Sequence, residues 1–184
     1  MILRLKKSVA FVGMMGAGKT AVGRAVAEKL NAPFLDSDHE IEQAANMSVA
    51  EIFARDGEAF FRDREAQVIR RLFENEICIL STGGGAFMSQ EVRQIITHSG
   101  MSLWIKADLD LLWSRVKSKD IRPLLQTADP YEALNSIFEA RKDSYALADL
   151  IVEAKKELSI VEMAERVIAV MRTREDVLEC VDES

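Results

Sequence analysis

The amino-acid sequence predicts an α/β fold, a doubly wound parallel sheet of five strands with helices on both faces. Two observations support this prediction. Short, continuously apolar runs alternate along the 184 residues with longer amphipathic segments, and the first run leads directly into a glycine-rich loop that opens a helical segment. Because parallel strands are buried on both faces, they show continuous apolar runs rather than alternating ones.

Apolar runs and amphipathic segments define the predicted elements in chain order. The strands are expected at residues 9–12, 33–35, 77–80, 101–105 and 150–152. The helices are expected at residues 19–30, 39–45, 48–55, 59–73, 90–97, 109–117, 131–146 and 160–172. Ser48 with Glu51, and Ser159 with Glu162, have the spacing of a capping box and mark two helix starts. Ligands of such a sheet gather at the carboxyl ends of its strands.

Length and composition predict one globular domain over residues 1–172. With 48% hydrophobic and 29% charged residues, the chain can bury a sizeable core of its own, but a second full domain would not fit. Residues 173–184 are acidic and mostly polar. We expect them to form a frayed, acidic C-terminal tail.

The net charge and the cysteine content limit the binding partners and the cellular compartments that we expect for this protein. The formal net charge of -6 argues against nucleic acid as the main partner, so phosphates would be held by locally placed Lys and Arg. Cys78 and Cys180 form neither a CxxC pair nor a cluster of metal-ligand spacing, which indicates a reducing compartment and no zinc site. No stretch approaches the ~18 uninterrupted apolar residues of a membrane span. We expect a cytoplasmic monomer without nucleic-acid or membrane partners.

Residues 13–20 are predicted to form a phosphate-binding loop. They read Gly-Met-Met-Gly-Ala-Gly-Lys-Thr, which matches the Gly-x-x-x-x-Gly-Lys-Ser/Thr pattern at each fixed position, directly after the first predicted strand. Glycines let backbone N–H groups turn inward around phosphates, Lys19 reaches the β- and γ-phosphates as a catalytic cation, and the Thr20 hydroxyl ligates Mg²⁺. The expected ATP contacts in this loop and the helix after it are Gly16, Ala17, Gly18, Lys19, Thr20 and Ala21.

The phosphate-binding loop by itself does not separate a kinase from a GTPase or a regulatory ATPase. Guanine-specific GTPases resemble one another in carrying an Asn-Lys-x-Asp segment. No Asn in this chain is followed by Lys. The sequence therefore disfavours a GTPase.

Two carboxylates, Asp36 and Asp38, follow the second predicted strand. Beside a phosphate-binding loop, one carboxylate can hold a metal ion through water while the other meets an acceptor hydroxyl. The alternative is helix capping, in which Ser37 or Asp38 caps the helix that follows. Capping alone explains one aspartate but not both.

Three consecutive glycines, Gly83, Gly84 and Gly85, follow the third predicted strand. Glycine loses roughly 1 kcal/mol more backbone entropy than alanine on folding, so an ordinary loop would rarely need three. A backbone that a ligand approaches closely would need them. The glycines therefore indicate a second part of the binding site.

In this order along the chain, these motifs resemble those of the shikimate kinase family. The resemblance runs from Val9 to about Met171. It covers the loop at 13–20, Asp-x-Asp at 36–38, Phe-Arg-x-x-Glu at 61–65, the glycines at 83–85, Arg-Pro-Leu-Leu at 122–125, and Arg141 with Tyr145. It implies transfer of the γ-phosphoryl group of ATP to the 3-hydroxyl of shikimate, toward the aromatic amino acids. It also implies a P-loop NTPase fold like that of nucleoside monophosphate kinases, with strand order 2-3-1-4-5.

The resemblance further implies the residues that bind the acceptor. Asp38 would contact the hydroxyl that attacks and act as a catalytic residue, and Glu65 would hold the substrate-binding arginine. A planar guanidinium suits a carboxylate because it makes bidentate contacts, which a lysine cannot make. The implied acceptor ligands are Asp38, Arg62, Gly84, Gly85 and Arg141.

On the nucleotide side, the resemblance implies that Asp36, together with Thr20, lies at the metal ion. Arg115 would stack on adenine. Arg122 would be a catalytic lid arginine that closes on the phosphates, and the polar residues around it predict a lid over about 117–129.

Two other functions stay open at this point. Another small-metabolite kinase, such as a gluconate kinase, would share the phosphate-binding loop, but the paired Arg62 and Arg141 with the three glycines speak against it. A non-catalytic nucleotide-binding module would be expected to have lost Lys19, Asp38 or Arg122, and all three are present.

Overall fold

A parallel sheet with helices packed around it organises the chain, and the computed structural model describes residues 2–118 and 123–181. The strands are β1 (Ile2–Leu5), β2 (Ser8–Val12), β3 (Phe34–Asp36), β4 (Ile79–Ser81), β5 (Gly100–Lys106), β6 (Leu150–Glu153) and β7 (Leu178–Val181). The helices are α1 (Lys19–Lys29), α2 (Ser37–Ala45), α3 (Val49–Asn75), α4 (Gln90–Ser99), α5 (Leu109–Val116), α6 (Pro130–Tyr145) and α7 (Ile160–Met171). Short 3₁₀ turns lie at Ala86–Met88 and Pro123–Leu125.

The five-stranded sheet has the order β3-β4-β2-β5-β6, and each neighbouring pair is parallel. Numbered from the first strand of this sheet, the order is 2-3-1-4-5, so the predicted fold class and topology are confirmed. β2 lies at the centre between β4 and β5, which explains why all five of its residues are buried. A central strand without solvent contact on either face favours apolar residues, and its residues Val9 to Val12 form the run seen in the sequence.

Helix positions follow the predicted segments closely, with one difference at residues 48–73. The two helices expected there form the single element α3, which is interrupted by a kink at Gly57 with φ of 85° and ψ of 171°. The capping boxes are both present, with Ser48 and Ser159 as the caps. A positive φ favours glycine, so Gly57 provides the break between the two halves of α3.

The expectation that the C-terminal residues form a frayed tail is wrong for β7. This strand pairs antiparallel with β1, from Ile2 opposite Val181 to Leu5 opposite Leu178. Val177 and Leu178 are buried, and Lys7 pairs with Asp176 at 2.9 Å. The acidic residues of the tail therefore face basic residues of the N-terminal segment, a complementarity between two distant parts of the chain. Residues 182–184 lie outside the described residues.

Close packing of α1 on the sheet brings the phosphate-binding loop over the strand ends. A Cβ atom at Gly23 in α1 would lie 3.0 Å from the Phe34 ring and 3.4 Å from the Phe11 ring. A side chain at this position would push the two rings back by a few tenths of an ångström, so the glycine favours the close approach of α1 to β2 and β3. Among the described residues, no helix is both long enough and apolar enough to cross a membrane.

Candidate active site

A cleft of about 1130 Å³ opens at the carboxyl ends of β2, β3 and β4. Its walls come from the phosphate-binding loop, the first turns of α1 and α2, and the residues after β4. The predicted nucleotide contacts in the loop, together with Thr20 and Ala21 at the start of α1, all line this cleft. The cleft therefore contains the phosphate-binding loop and both aspartates of the Asp-x-Asp motif.

The phosphate-binding loop is held in place by α5. Gly16 has φ of 81°, and a Cβ atom there would lie 2.8 Å from Cγ1 of Val116. Arg115 donates hydrogen bonds from Nη1 to the carbonyl oxygens of Gly16 at 3.2 Å and Ala17 at 3.0 Å. Arg115 thus lies directly at the loop that the sequence assigns to the nucleotide.

Lys19 lies inside the phosphate-binding loop, where its side chain is almost fully buried. Its ammonium group donates hydrogen bonds to the carbonyl oxygens of Gly13 at 2.7 Å and Met14 at 2.9 Å. A buried cation that is bonded to the loop's own carbonyls is positioned where the loop curves around its ligand. Bound phosphates would therefore meet a positive charge that the fold has already placed.

Thr20 and Asp36 contact each other at the candidate metal position. The Thr20 hydroxyl donates to Oδ2 of Asp36 at 3.2 Å and lies 3.1 Å from the hydroxyl of Ser81. Mg²⁺ prefers hard oxygen ligands and is commonly held by one or two protein groups together with phosphates and water. The pair of oxygens fits such an ion, and Ser81 is a neighbour that the sequence interpretation missed.

Helix capping at this turn falls to Asp36, not to Ser37 or Asp38 as the capping alternative assumed. Oδ1 of Asp36 accepts from the backbone N–H groups of Asp38 at 3.1 Å and His39 at 3.3 Å. The Asp38 carboxylate is left to face the cleft. Asp36 therefore caps α2, and the Asp38 carboxylate is available for another role.

Asp38 lies in an environment that favours its protonated form more than water does. Burial raises its pKa, the neighbouring charge of Asp36 raises it further, and the positive charge of Lys19 opposes both effects. A more basic carboxylate is a better hydrogen-bond acceptor for a hydroxyl group. Asp38 is thus suited to contact an attacking hydroxyl.

The three glycines after β4 each lie against one of the predicted acceptor ligands. A Cβ atom at Gly83 would lie 2.8 Å from Oδ1 of Asp38, and one at Gly84 would lie 3.1 Å from Nη1 of Arg141. One at Gly85 would lie 2.2 Å from Nη2 of Arg62. The sequence predicts that a ligand approaches this backbone closely. In the structure, the side chains of Asp38, Arg141 and Arg62 approach it.

Arg62 is oriented by Glu65, one turn later in α3. Nη1 of Arg62 donates to Oε2 of Glu65 at 2.7 Å, and the Glu65 side chain is fully buried. Burial raises the pKa of Glu65 to about 7, although the Arg62 guanidinium acts in the opposite direction. Within the described part of the chain, Oε1 of Glu65 has no hydrogen-bond partner. This oxygen lies 3.1 Å from the position that a Gly83 Cβ atom would take.

An apolar wall of the cleft was not identified from the sequence. The segment after β6 and the start of α7 contribute Ala154, Leu158, Ile160 and Met163. Ile160 is half exposed, although the sequence showed it only as the first residue of a helix. The sequence did offer one signal, which is that the apolar Ile160 directly follows the capping residue Ser159. The first turn of a helix usually carries polar residues, so an apolar residue there can indicate a binding surface.

The lid is only partly described. Residues 119–122 lie outside the described residues, and with them the predicted lid arginine, Arg122. The 3₁₀ turn at Pro123–Leu125 contacts α6, and Leu125 is buried. The structure thus brings together every other predicted site residue, while the lid remains a prediction.

Known proteins are similar to this chain in sequence and in fold. The family model described as shikimate kinase matches residues 15–172. Shikimate kinase of Ruegeria pomeroyi is 61% identical over 175 residues, 95% of this chain and 90% of that protein. Shikimate kinase of Cereibacter sphaeroides is 59% identical over 176 residues, 96% of this chain and 88% of that protein. The solved structure of shikimate kinase from Acinetobacter baumannii in complex with shikimate is similar at a TM-score of 0.86 and 32% identity, over 92% of this chain and 94% of that one.

Proposed function

This chain belongs to the shikimate kinase family, and from that membership we propose how its own residues carry out the reaction. The protein is an ATP-dependent kinase that acts on a hydroxyl group of shikimate. The product is shikimate 3-phosphate if, as we propose, the 3-hydroxyl is the acceptor. The observation that carries the proposal is the arrangement at residues 83–85, where each glycine lies against Asp38, Arg141 or Arg62.

The acceptor is held at both ends in this proposal. Arg62 and Arg141 come from α3 and α6 and converge on adjacent glycines, so they can bind one carboxylate with charge-assisted hydrogen bonds. Asp38 lies beside Gly83 and lines the same cleft as the phosphate-binding loop. Its carboxylate would accept a hydrogen bond from the hydroxyl that attacks the phosphorus atom. Gly84 and Gly85 would add backbone contacts.

The nucleotide would lie along the phosphate-binding loop, next to the glycine turn. The carbonyl oxygen of Gly13 lies 3.8 Å from the position of a Cβ atom at Gly84, so the two binding regions touch. Lys19 would exchange its bonds to the loop carbonyls for bonds to phosphate oxygens and stabilise negative charge on the transferring group. Arg115 and the apolar wall at 154–163 would enclose the adenine.

A magnesium ion is proposed at the Thr20 hydroxyl, with Asp36 associated through water. When bound, the ion neutralises charge on the β- and γ-phosphates. The contribution of this chain is to keep the two oxygens together, because Asp36 is fixed by its capping bonds to α2.

The proposal also covers the lid, the domain organisation, the cellular location and the oligomeric state. We propose that residues 1–172 act as one kinase domain, that the segment at about 117–129 closes over ATP, and that Arg122 then meets the phosphates. A cytoplasmic location is supported by two cysteines that are not joined to each other. We propose a monomer with shikimate and ATP as its partners.

One assay tests the proposed function. ADP release is measured with shikimate, with gluconate and without an acceptor, and the phosphorylated product is identified by ³¹P NMR. Shikimate-dependent ADP release with phosphate on the 3-hydroxyl is the expected result. Release that depends on gluconate, or that does not depend on any acceptor, would contradict the proposal.

A further inference from the structure

Tyr145 is a fully buried residue at the end of α6 that the proposed reaction does not use. Its hydroxyl donates a hydrogen bond to the carbonyl oxygen of Gly84. Burial raises the pKa of the phenol, and the nearby positive charge of Arg141 acts in the opposite direction. One hydroxyl group therefore lies beside two of the proposed acceptor ligands.

The Tyr145 ring is itself fixed by β5. It stacks on Trp104 with ring centroids 5.8 Å apart and an angle of 30° between the planes. Cδ1 of Trp104 lies 3.2 Å from the position that a Cβ atom at Gly13 would take, at the start of the phosphate-binding loop. A continuous line of contacts thus runs from Gly13 through Trp104 and Tyr145 to Gly84.

We propose that Tyr145 is a positioning residue for the acceptor, which fixes the Gly84 carbonyl and Arg141 at a set distance from the phosphate-binding loop through its contact with Trp104. This inference rests on the proposed function, since it takes Gly84 and Arg141 as acceptor ligands.

The hydroxyl has a specific task in this arrangement. When the carbonyl of Gly84 is fixed, the peptide plane that carries the N–H of Gly85 is fixed as well, because the peptide unit is planar. Arg141 lies one helical turn before Tyr145 on the same face of α6, so the same anchor limits its movement. Phosphoryl transfer depends on alignment of the acceptor with the phosphorus atom, and small displacements reduce binding and rate.

The test removes the hydroxyl and keeps the ring. Tyr145→Phe preserves the stack on Trp104 but loses the bond to Gly84. Calorimetric titration with shikimate alone should show an affinity reduced about three- to tenfold, the size expected for one lost hydrogen bond. Titration with ADP should give an affinity within twofold of the wild-type value, and the Michaelis constant for shikimate should rise in parallel with the loss of binding.

Tyr131→Phe is the matched control, because Tyr131 lies at the other end of α6 and is partly exposed. This variant should bind both ligands as the wild type does. If Tyr145→Phe binds shikimate normally, or if it loses thermal stability and both affinities together, Tyr145 is only a packing residue and the inference is wrong. If the wild-type protein itself does not bind shikimate, the proposed function fails first, and the wild-type titration shows which of the two has failed.

Discussion

Nη2 of Arg62 lies only 2.2 Å from the position that a Cβ atom at Gly85 would occupy. Gly85 has φ of -92°, which any residue can adopt, so its backbone conformation does not require glycine. The requirement comes from the guanidinium, which occupies the space of a side chain. The glycine turn and the proposed carboxylate-binding arginine are therefore one structural unit.

Gly85→Ala should displace Arg62 without straining the backbone. The Michaelis constant for shikimate should rise about tenfold or more, because a charge-assisted contact contributes roughly 1.5 to 3 kcal/mol. The Michaelis constant for ATP, measured in the same variant, should stay within twofold. Steady-state kinetics with each substrate varied in turn would check this, and equal losses for both substrates would contradict the assignment of Arg62 to the acceptor.

Glu65→Gln should change how stability depends on pH. Burial raises the pKa of Glu65 from 4.5 to about 7, so the folded state binds a proton that the unfolded state has lost between those values. The free energy of unfolding should therefore fall as the pH rises from 4.5 to 7 and level off above 7, by up to about 3 kcal/mol from this group. Urea unfolding at pH 5 and pH 8 should show a smaller difference in Glu65→Gln.

Glu74→Gln is the control for this comparison, because Glu74 is an exposed carboxylate near the end of the same helix. It should leave the difference between pH 5 and pH 8 unchanged. A Glu65→Gln profile that matches the wild-type profile would show that the buried carboxyl does not titrate in this range.

Asp36→Asn should separate the capping of α2 by Asp36 from its proposed association with Mg²⁺. Asparagine caps helices about as well as aspartate, so thermal stability should change little, whereas Asp36→Ala should cost about 1 kcal/mol. The loss of negative charge should raise the Mg²⁺ concentration for half-maximal rate by about tenfold or more. A magnesium titration of the initial rate measures this, and an unchanged midpoint in Asp36→Asn would limit Asp36 to capping.

Lys19→Met should remove catalysis more than stability. A single positioned cation contributes about 3 kcal/mol to transition-state stabilisation, so turnover should fall about a hundredfold or more. Lys29→Met is the matched control, because Lys29 ends the same helix and pairs with Glu165 on the surface at 3.2 Å. The test compares turnover numbers at saturating substrate concentrations with thermal unfolding midpoints for both variants. Turnover of Lys19→Met within threefold of wild type would rule out a catalytic role for Lys19.

The sheet and the candidate site at the edge of the sheet could be predicted because their sequence signals are local. The continuous burial of Val9 to Val12 requires apolar residues in sequence, and the glycines of the phosphate-binding loop precede Lys19 directly. The pairing of β1 with β7 could not be predicted in this way. It depends on contacts such as that between Lys7 and Asp176, which are far apart in the chain and show no local pattern.

The sequence by itself determined the fold class, and it predicted the phosphate-binding loop and the residues that would recognise a small anionic acceptor. Each of these depends on residues adjacent in the chain or on motifs in a fixed order. Only the tertiary structure decided that Asp36 caps α2, that each glycine of the turn lies against one proposed acceptor ligand, and that Tyr145 bonds to Gly84. These relationships are distances between atoms of separate elements. Helix and strand periodicity carries no information about such distances, because packing sets them after the elements have formed.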